Sequence, residues 1–181
     1  MVLVLVAASS AAIIAIARGG SLKSLAATDL RHPWIVFAAL VIQIIPDVAS
    51  PDSFPRAVGV GALVISYGAV ALFMLINRNL AGMLVAAVGF SLNALVIGLN
   101  GAMPVSTWAA DIAGIEGLAD VGVKHELAGP HTLLGFLGDV IPIPATLQIL
   151  SIGDVILAAG LSLLVYKRTL ADPAEAKKPS D

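Results

Sequence analysis

Residues 57–99 read AVGVGALVISYGAVALFMLI, then Asn77-Arg78-Asn79, then LAGMLVAAVGFSLNALVIGL. Each apolar run has about the length a helix needs to cross a hydrocarbon layer of roughly 30 Å. The polar residues between them are the kind of punctuation that ends one such helix and starts another. The pattern predicts two consecutive transmembrane helices, at 57–76 and 80–99.

Three more apolar segments extend the pattern outward, at 2–17, 33–49 and 152–166. Arg18-Gly19-Gly20, Arg31-His32-Pro33, Ser50-Pro51-Asp52 and Asn100-Gly101 punctuate them. Pro33 suits the first position of a helix, where the amide that proline lacks would be unpaired anyway. The fold expected is all-α: an integral membrane bundle of about five transmembrane helices, forming one transmembrane domain over 1–170. Residues 100–149 form an outer cap, and the charged, Pro-containing segment 171–181 reads as a flexible cytoplasmic tail.

Composition agrees. Of 181 residues, 59% are hydrophobic and 12% charged, with a mean hydropathy of +0.98. A chain this short cannot hide so much apolar surface inside a water-soluble domain, which makes the lipid bilayer its natural solvent. The net charge of −2 gives no reason to expect a nucleic-acid partner. The absence of cysteine excludes disulfides, thiol catalysis and thiolate metal sites.

Orientation follows from the basic residues. With the tail in the cytoplasm, inner segments carry Arg18, Lys23, Arg31, Arg78, Lys167, Arg168, Lys177 and Lys178, and outer segments carry only Arg56 and Lys124. The expectation is a multi-pass plasma-membrane protein with its N-terminus and its 100–149 region outside. Ala15-Ile16-Ala17 resembles a signal-peptide cleavage site, but no positive charge precedes Arg18, so segment 2–17 is expected to be retained.

Within the cap, 133–144 is apolar but too short to cross, and Asp139, Pro142 and Pro144 interrupt it. It reads as a re-entrant or interfacial piece. Trp108, Ile112, Ile115 and Leu118 fall at helical spacing, with Asp111, Glu116 and Asp120 on other faces, as in an amphipathic helix on a membrane surface.

Polar residues among the apolar segments are the candidate site. Gly82, Ala86, Gly89, Asn93 and Asn100 share one helical face. Ala7, Ala11 and Ala15 make another small-residue face, and Gly61 and Gly68 a third. Such faces let helices pack closely, with Asn93 bonding across the interface. The alternative makes Asn93 line a polar cavity open to the outside; Gln43 poses the same choice. Tyr67 and Tyr166 read as packing or interface residues, Trp34 and Trp108 as interfacial anchors, and His32 as a headgroup-boundary residue.

Asp154, in Ser151-Ile152-Gly153-Asp154, fits a capping box at the start of the last helix. A carboxylate within a transmembrane segment is also a functional suspect in its own right. If 133–144 dips toward the membrane, Asp139 could meet it. Two close carboxylates can share a proton and divide acid and base roles. His125 and His131 could join a carboxylate as metal ligands, but their spacing matches no tight motif, and neither a metal nor a cofactor is assigned. The chain has no nucleophile elbow, phosphate loop or dinucleotide fingerprint.

Five segments carry a resemblance: Arg18-Gly19-Gly20-Ser21-Leu22, Asn100-Gly101-Ala102-Met103-Pro104-Val105, Lys124-His125, Leu137-Gly138-Asp139-Val140-Ile141-Pro142 and Ser151-Ile152-Gly153-Asp154-Val155. In this order they resemble a family of small actinobacterial and firmicute membrane proteins of unknown function. That resemblance implies the fold and a single outer-face feature, with no activity attached. The Gly138-Asp139 and Gly153-Asp154 pieces are also similar in pattern to the end of lipoprotein signal peptidases, which are intramembrane aspartyl enzymes. The segment between the aspartates is short for that family, and its Asn and Asp-Arg motif has no counterpart in 80–99.

Three functions follow as expectations. The first is a non-enzymatic accessory subunit or a binder of lipid or another small apolar ligand, associated with the bilayer and with other membrane subunits. Its site would comprise Asn93, Asn100, Met103, His125, His131, Asp139 and Asp154. The second is an intramembrane hydrolase with Asp139 and Asp154 as its catalytic pair. The third is a small transporter or channel.

Overall fold

The structure, a computed structural model, describes residues 2–48, 56–115 and 125–172. Glu116, Leu118, Asp120, Lys124 and the tail from 173 onward lie outside the described residues. Among those described, the chain is mostly helical: α1 Val2–Ala17, α2 Leu22–Ala26, α3 Trp34–Val48, α4 Arg56–Ile76, α5 Met83–Asn100, α6 Thr107–Ala113 and α7 Ile152–Leu170.

The long helices pack side by side. α7 lies between α1 and α5, and α4 between α5 and α3. Ala39 of α3, Phe73 and Met74 of α4, Met83 and Ala86 of α5, and Leu157 of α7 form one buried cluster. Leu63 of α4, Val96 and Ile97 of α5 and Met103 form a second, beneath the cap.

Among the described residues, two helices are by length and composition long and apolar enough to cross a membrane: Ala57–Ile76 at a mean hydropathy of 2.2 and Met83–Asn100 at 1.9. Val2–Ala17 and Trp34–Ile44 are shorter apolar helices. α7 has sufficient length but carries Asp154, Lys167 and Arg168. Large apolar side chains face outward on all five of these helices, including Ile13, Phe37 and Ile65 at 67%, 68% and 63% exposure.

The tightest contact joins α5 and α7. Each of Gly82, Gly89, Gly153 and Gly160 lies so close to the opposing helix that an added Cβ would overlap its backbone. This is the small-residue packing expected of the α5 stripe. The stripe's partner is a second glycine pair on α7, seven residues apart. Ala11 and Ala15 of α1 are likewise buried. Among the described residues, Gly61 and Gly68 have nothing within 4 Å of an added Cβ and make no such contact.

The cap departs from the all-α expectation. It holds a mixed four-stranded sheet of β1 Met103–Val105, β2 His125–Leu127, β3 Asp139–Ile143 and β4 Gln148–Ser151, in the order β2-β1-β3-β4. β1 is parallel to β2 and β3, and β3 is antiparallel to β4. The expected re-entrant piece at 133–144 is instead a short 3-10 turn, Gly135–Leu137, followed by β3. The reason is backbone satisfaction: a Pro-interrupted, β-branched stretch cannot close its own hydrogen bonds as a helix does, but a neighbouring strand can close them. The amphipathic helix is also shorter than its spacing suggested. Gly114, at φ +71°, stops α6 after Ala113, leaving Trp108 61% exposed.

Candidate functional site

The site begins where the sheet meets the bundle. Ser151 ends β4 and caps α7: its hydroxyl accepts from the Asp154 amide at 2.9 Å, and its own amide donates to Asp154 Oδ2 at 3.1 Å. The capping box read in the sequence is therefore present. It is also tied to α5. Asn93 Nδ2 donates to Asp154 Oδ1 at 2.9 Å, and the Ser151 hydroxyl donates to Asn93 Oδ1 at 2.9 Å. Asn93 and Ser151 are buried, so this closed network satisfies polar groups that would otherwise destabilise the interior. Gly153 makes it possible, because a Cβ there would strike Asn93 Oδ1.

Asp139 arrives from the other side. The β3–β4 register pairs it with Ser151, three residues before Asp154. Its backbone carbonyl accepts from Ser106 at 2.9 Å, fixing the start of α6. Gly138 before it lies against the Pro104 carbonyl, where any Cβ would overlap. The Asp139 side chain is only 9% exposed, and His125 Nε2 on β2 stands 3.6 Å from its Oδ2. Burial, and then the negative charge of Asp154, push the Asp139 carboxyl from its ordinary range up to about 7, with the amino-terminal charge acting in the opposite sense.

These residues surround a cavity of about 430 Å³. Asn93, Met103, His125, Asp139 and Asp154, all singled out in the sequence, line it together. Apolar walls come from Leu63, Ile97, Val105, Leu147, Ile149 and Leu150. Gln43, Tyr67 and Gln148 also line it. Tyr67 had read as a packing residue; the signal pointing inward was its four-residue spacing from Leu63 on α4, which puts both on one face.

Asn100 and His131 lie elsewhere. Asn100 caps a loop, donating to the Leu133 carbonyl at 2.9 Å and accepting from the Leu133 amide at 2.8 Å. With His131 and Glu126 it borders a separate cavity of about 360 Å³. The two-histidine metal set is therefore not assembled, since His125 and His131 line different cavities. Among the described residues no group of three His, Cys, Asp or Glu side chains is placed to hold a metal ion.

Chemically, Asp154 is a fixed acceptor and Asp139 a carboxyl that exchanges its proton near neutral pH, set in an otherwise largely apolar cavity. No curated protein and no solved structure matches the chain. A family model does match, over residues 27–166, a span that includes α3 to α5, the sheet and every residue lining the cavity. The chain belongs to the Family of unknown function (DUF5317).

Proposed function

We propose that this chain is a multi-pass membrane protein whose outer cap encloses a binding site for lipid or another small apolar ligand with a polar end. The observation carrying this reading is the cavity beneath the sheet: apolar walls converge on the hydrogen-bonding groups of Asn93, His125, Asp139 and Asp154. Binding sites for small molecules have this composition, mostly apolar with a few placed polar groups.

In this reading α1, α3, α4, α5 and α7 all cross the bilayer within a single domain. The outward apolar side chains of α1, α3 and α4 support it, because exposed apolar surface of this extent is costly in water. The excess of Lys and Arg at the end opposite the sheet supports placing the sheet outside. The two shorter helices α1 and α3 would span by local thinning of the bilayer.

A hydrolase using Asp139 and Asp154 is a second reading, favoured by the raised Asp139 carboxyl beside Asp154. It is weakened because both Asp154 oxygens are already engaged, by Asn93 and by the Ser151 amide. Transport along the α5–α7 seam is disfavoured, since below Asn93 the two backbones touch at Gly89 and Gly82.

The test is to purify the full chain in a mild neutral detergent and identify bound small molecules by mass spectrometry after denaturation. One molecule class recurring at about one per chain supports the reading. Preparations free of any bound molecule, or carrying only bulk lipid in membrane proportions, count against it.

A further inference from the structure

We propose that the polar end of the ligand is a cation, an organic ammonium group seated between the carboxylates of Asp139 and Asp154, with its hydrocarbon part along Leu63, Ile97 and Ile149. This deepens the binding-site reading above and rests on it.

The first observation is the balance of charge. Among the described residues, the cavity is lined by two carboxylates and by neither lysine nor arginine. Basic residues that pair elsewhere do so at the far end of the bundle: Arg18 donates to the Tyr166 hydroxyl at 2.7 Å, and Arg168 to Thr28 Oγ1 at 3.1 Å. Asp154 already receives two hydrogen bonds, from Asn93 and from the Ser151 amide, the pattern of an anionic acceptor.

The second observation is the state of Asp139. It is more than nine-tenths buried and lines the cavity. Among the described residues its carboxyl is paired with the His125 imidazole, at 3.6 Å, a side chain that is 39% exposed. Of the other charged groups, Asp154 repels it, the amino-terminal charge acts in the opposite sense, and Asp111 on α6 is acidic and exposed. A buried carboxylate is stable when paired, and a positive charge entering through the cavity would add to the single contact with His125.

The same reasoning excludes ligands. A fatty acid or a phosphate headgroup would meet two negative groups, with the His125 imidazole as the one basic group among the described lining residues. An alcohol or amide would leave the charge uncompensated. The ammonium of a primary amine donates three hydrogen bonds, and its alkyl chain matches the apolar walls.

The experiment titrates the full chain, in nonionic detergent at pH 8, with hexylamine, 1-hexanol and hexanoate, each followed by saturation-transfer NMR. Alkylamines are protonated at this pH, as lysine is. The expected result is saturable hexylamine binding about tenfold or more tighter than hexanol, with hexanoate weakest. In Asp139→Asn, whose folding is checked by circular dichroism, the amine loses that advantage over hexanol. Hexanol equal to hexylamine, or hexanoate tightest, overturns the cation inference and leaves a binding cavity standing. An amine preference that survives in folded Asp139→Asn also overturns it. Saturable binding of none of the three overturns both the inference and the reading beneath it. If Asp139→Asn does not fold, the three-ligand comparison on the unmodified chain decides.

Discussion

Asn93 of α5 and Asp154 of α7 are joined across the helix interface by a 2.9 Å hydrogen bond, from the Asn93 amide to a carboxylate oxygen of Asp154. That bond, closed into a ring by Ser151, fastens the sheet to the bundle. Replacing Asn93 with leucine leaves the Ser151 hydroxyl and one Asp154 oxygen without their partner. The expected loss is about 1–3 kcal/mol, the usual cost of orphaning buried polar groups. Equilibrium unfolding in mixed micelles reads it, and an unchanged midpoint would show that the ring contributes nothing to stability.

The glycines sort into two classes that a single alanine scan separates. Gly89→Ala, Gly153→Ala and Gly160→Ala each push a methyl into the opposing backbone. Overpacking of this kind costs about 1–3 kcal/mol. Gly61→Ala and Gly68→Ala meet open space and should be neutral or slightly stabilising, by up to about 1 kcal/mol of helix propensity. Melting temperatures of the five variants make the comparison.

Stability should fall as pH rises. The Asp139 carboxyl is raised from 3.8 to about 7 in the folded chain, so the folded state holds a proton that the unfolded state has released. The contribution is fully favourable below about 4, is lost progressively toward 7, and stays lost above it. Its size is on the order of 4 kcal/mol at most. Asp139→Asn should flatten the slope of unfolding free energy between pH 4 and 7 and stabilise the chain at pH 8. An unchanged slope would mean that another group carries the titration.

Much of this was legible in the sequence. Runs of apolar residues bounded by Gly, Pro and Asn located the long helices, because helix length in lipid is set by a simple dimension. The Ser151–Asp154 capping box and the cross-helix role of Asn93 were readable from local spacing. The sheet was not. β1 to β4 are short, and residues 106–124 separate β1 from β2, so their pairing is a non-local choice that no local period announces. For the same reason Asn100 and His131 were grouped with a site they do not join. The signal available was Asn100-Gly101 as a helix end, with Gly101 at φ +80°.

Topology is open to a clean assay because the chain has no cysteine of its own. Single cysteines at Ile112 and Leu127, both exposed in the cap, should react with a membrane-impermeant maleimide on intact cells. Cysteines replacing Lys23 and Arg78 should react only after permeabilisation. The reverse pattern would invert the orientation argued from basic residues.

The central claim is that the cavity beneath the sheet holds a ligand. Ile149 lines that cavity from β4 and is only partly buried, so Ile149→Trp should fill the space without breaking the core. Native mass spectrometry of the unmodified chain and of this variant, both released from the same lipid nanodiscs, compares them directly. The account predicts a discrete adduct of about one molecule per chain on the unmodified protein and its loss in the folded variant. An adduct of the same mass and occupancy on both, or on neither, would contradict it.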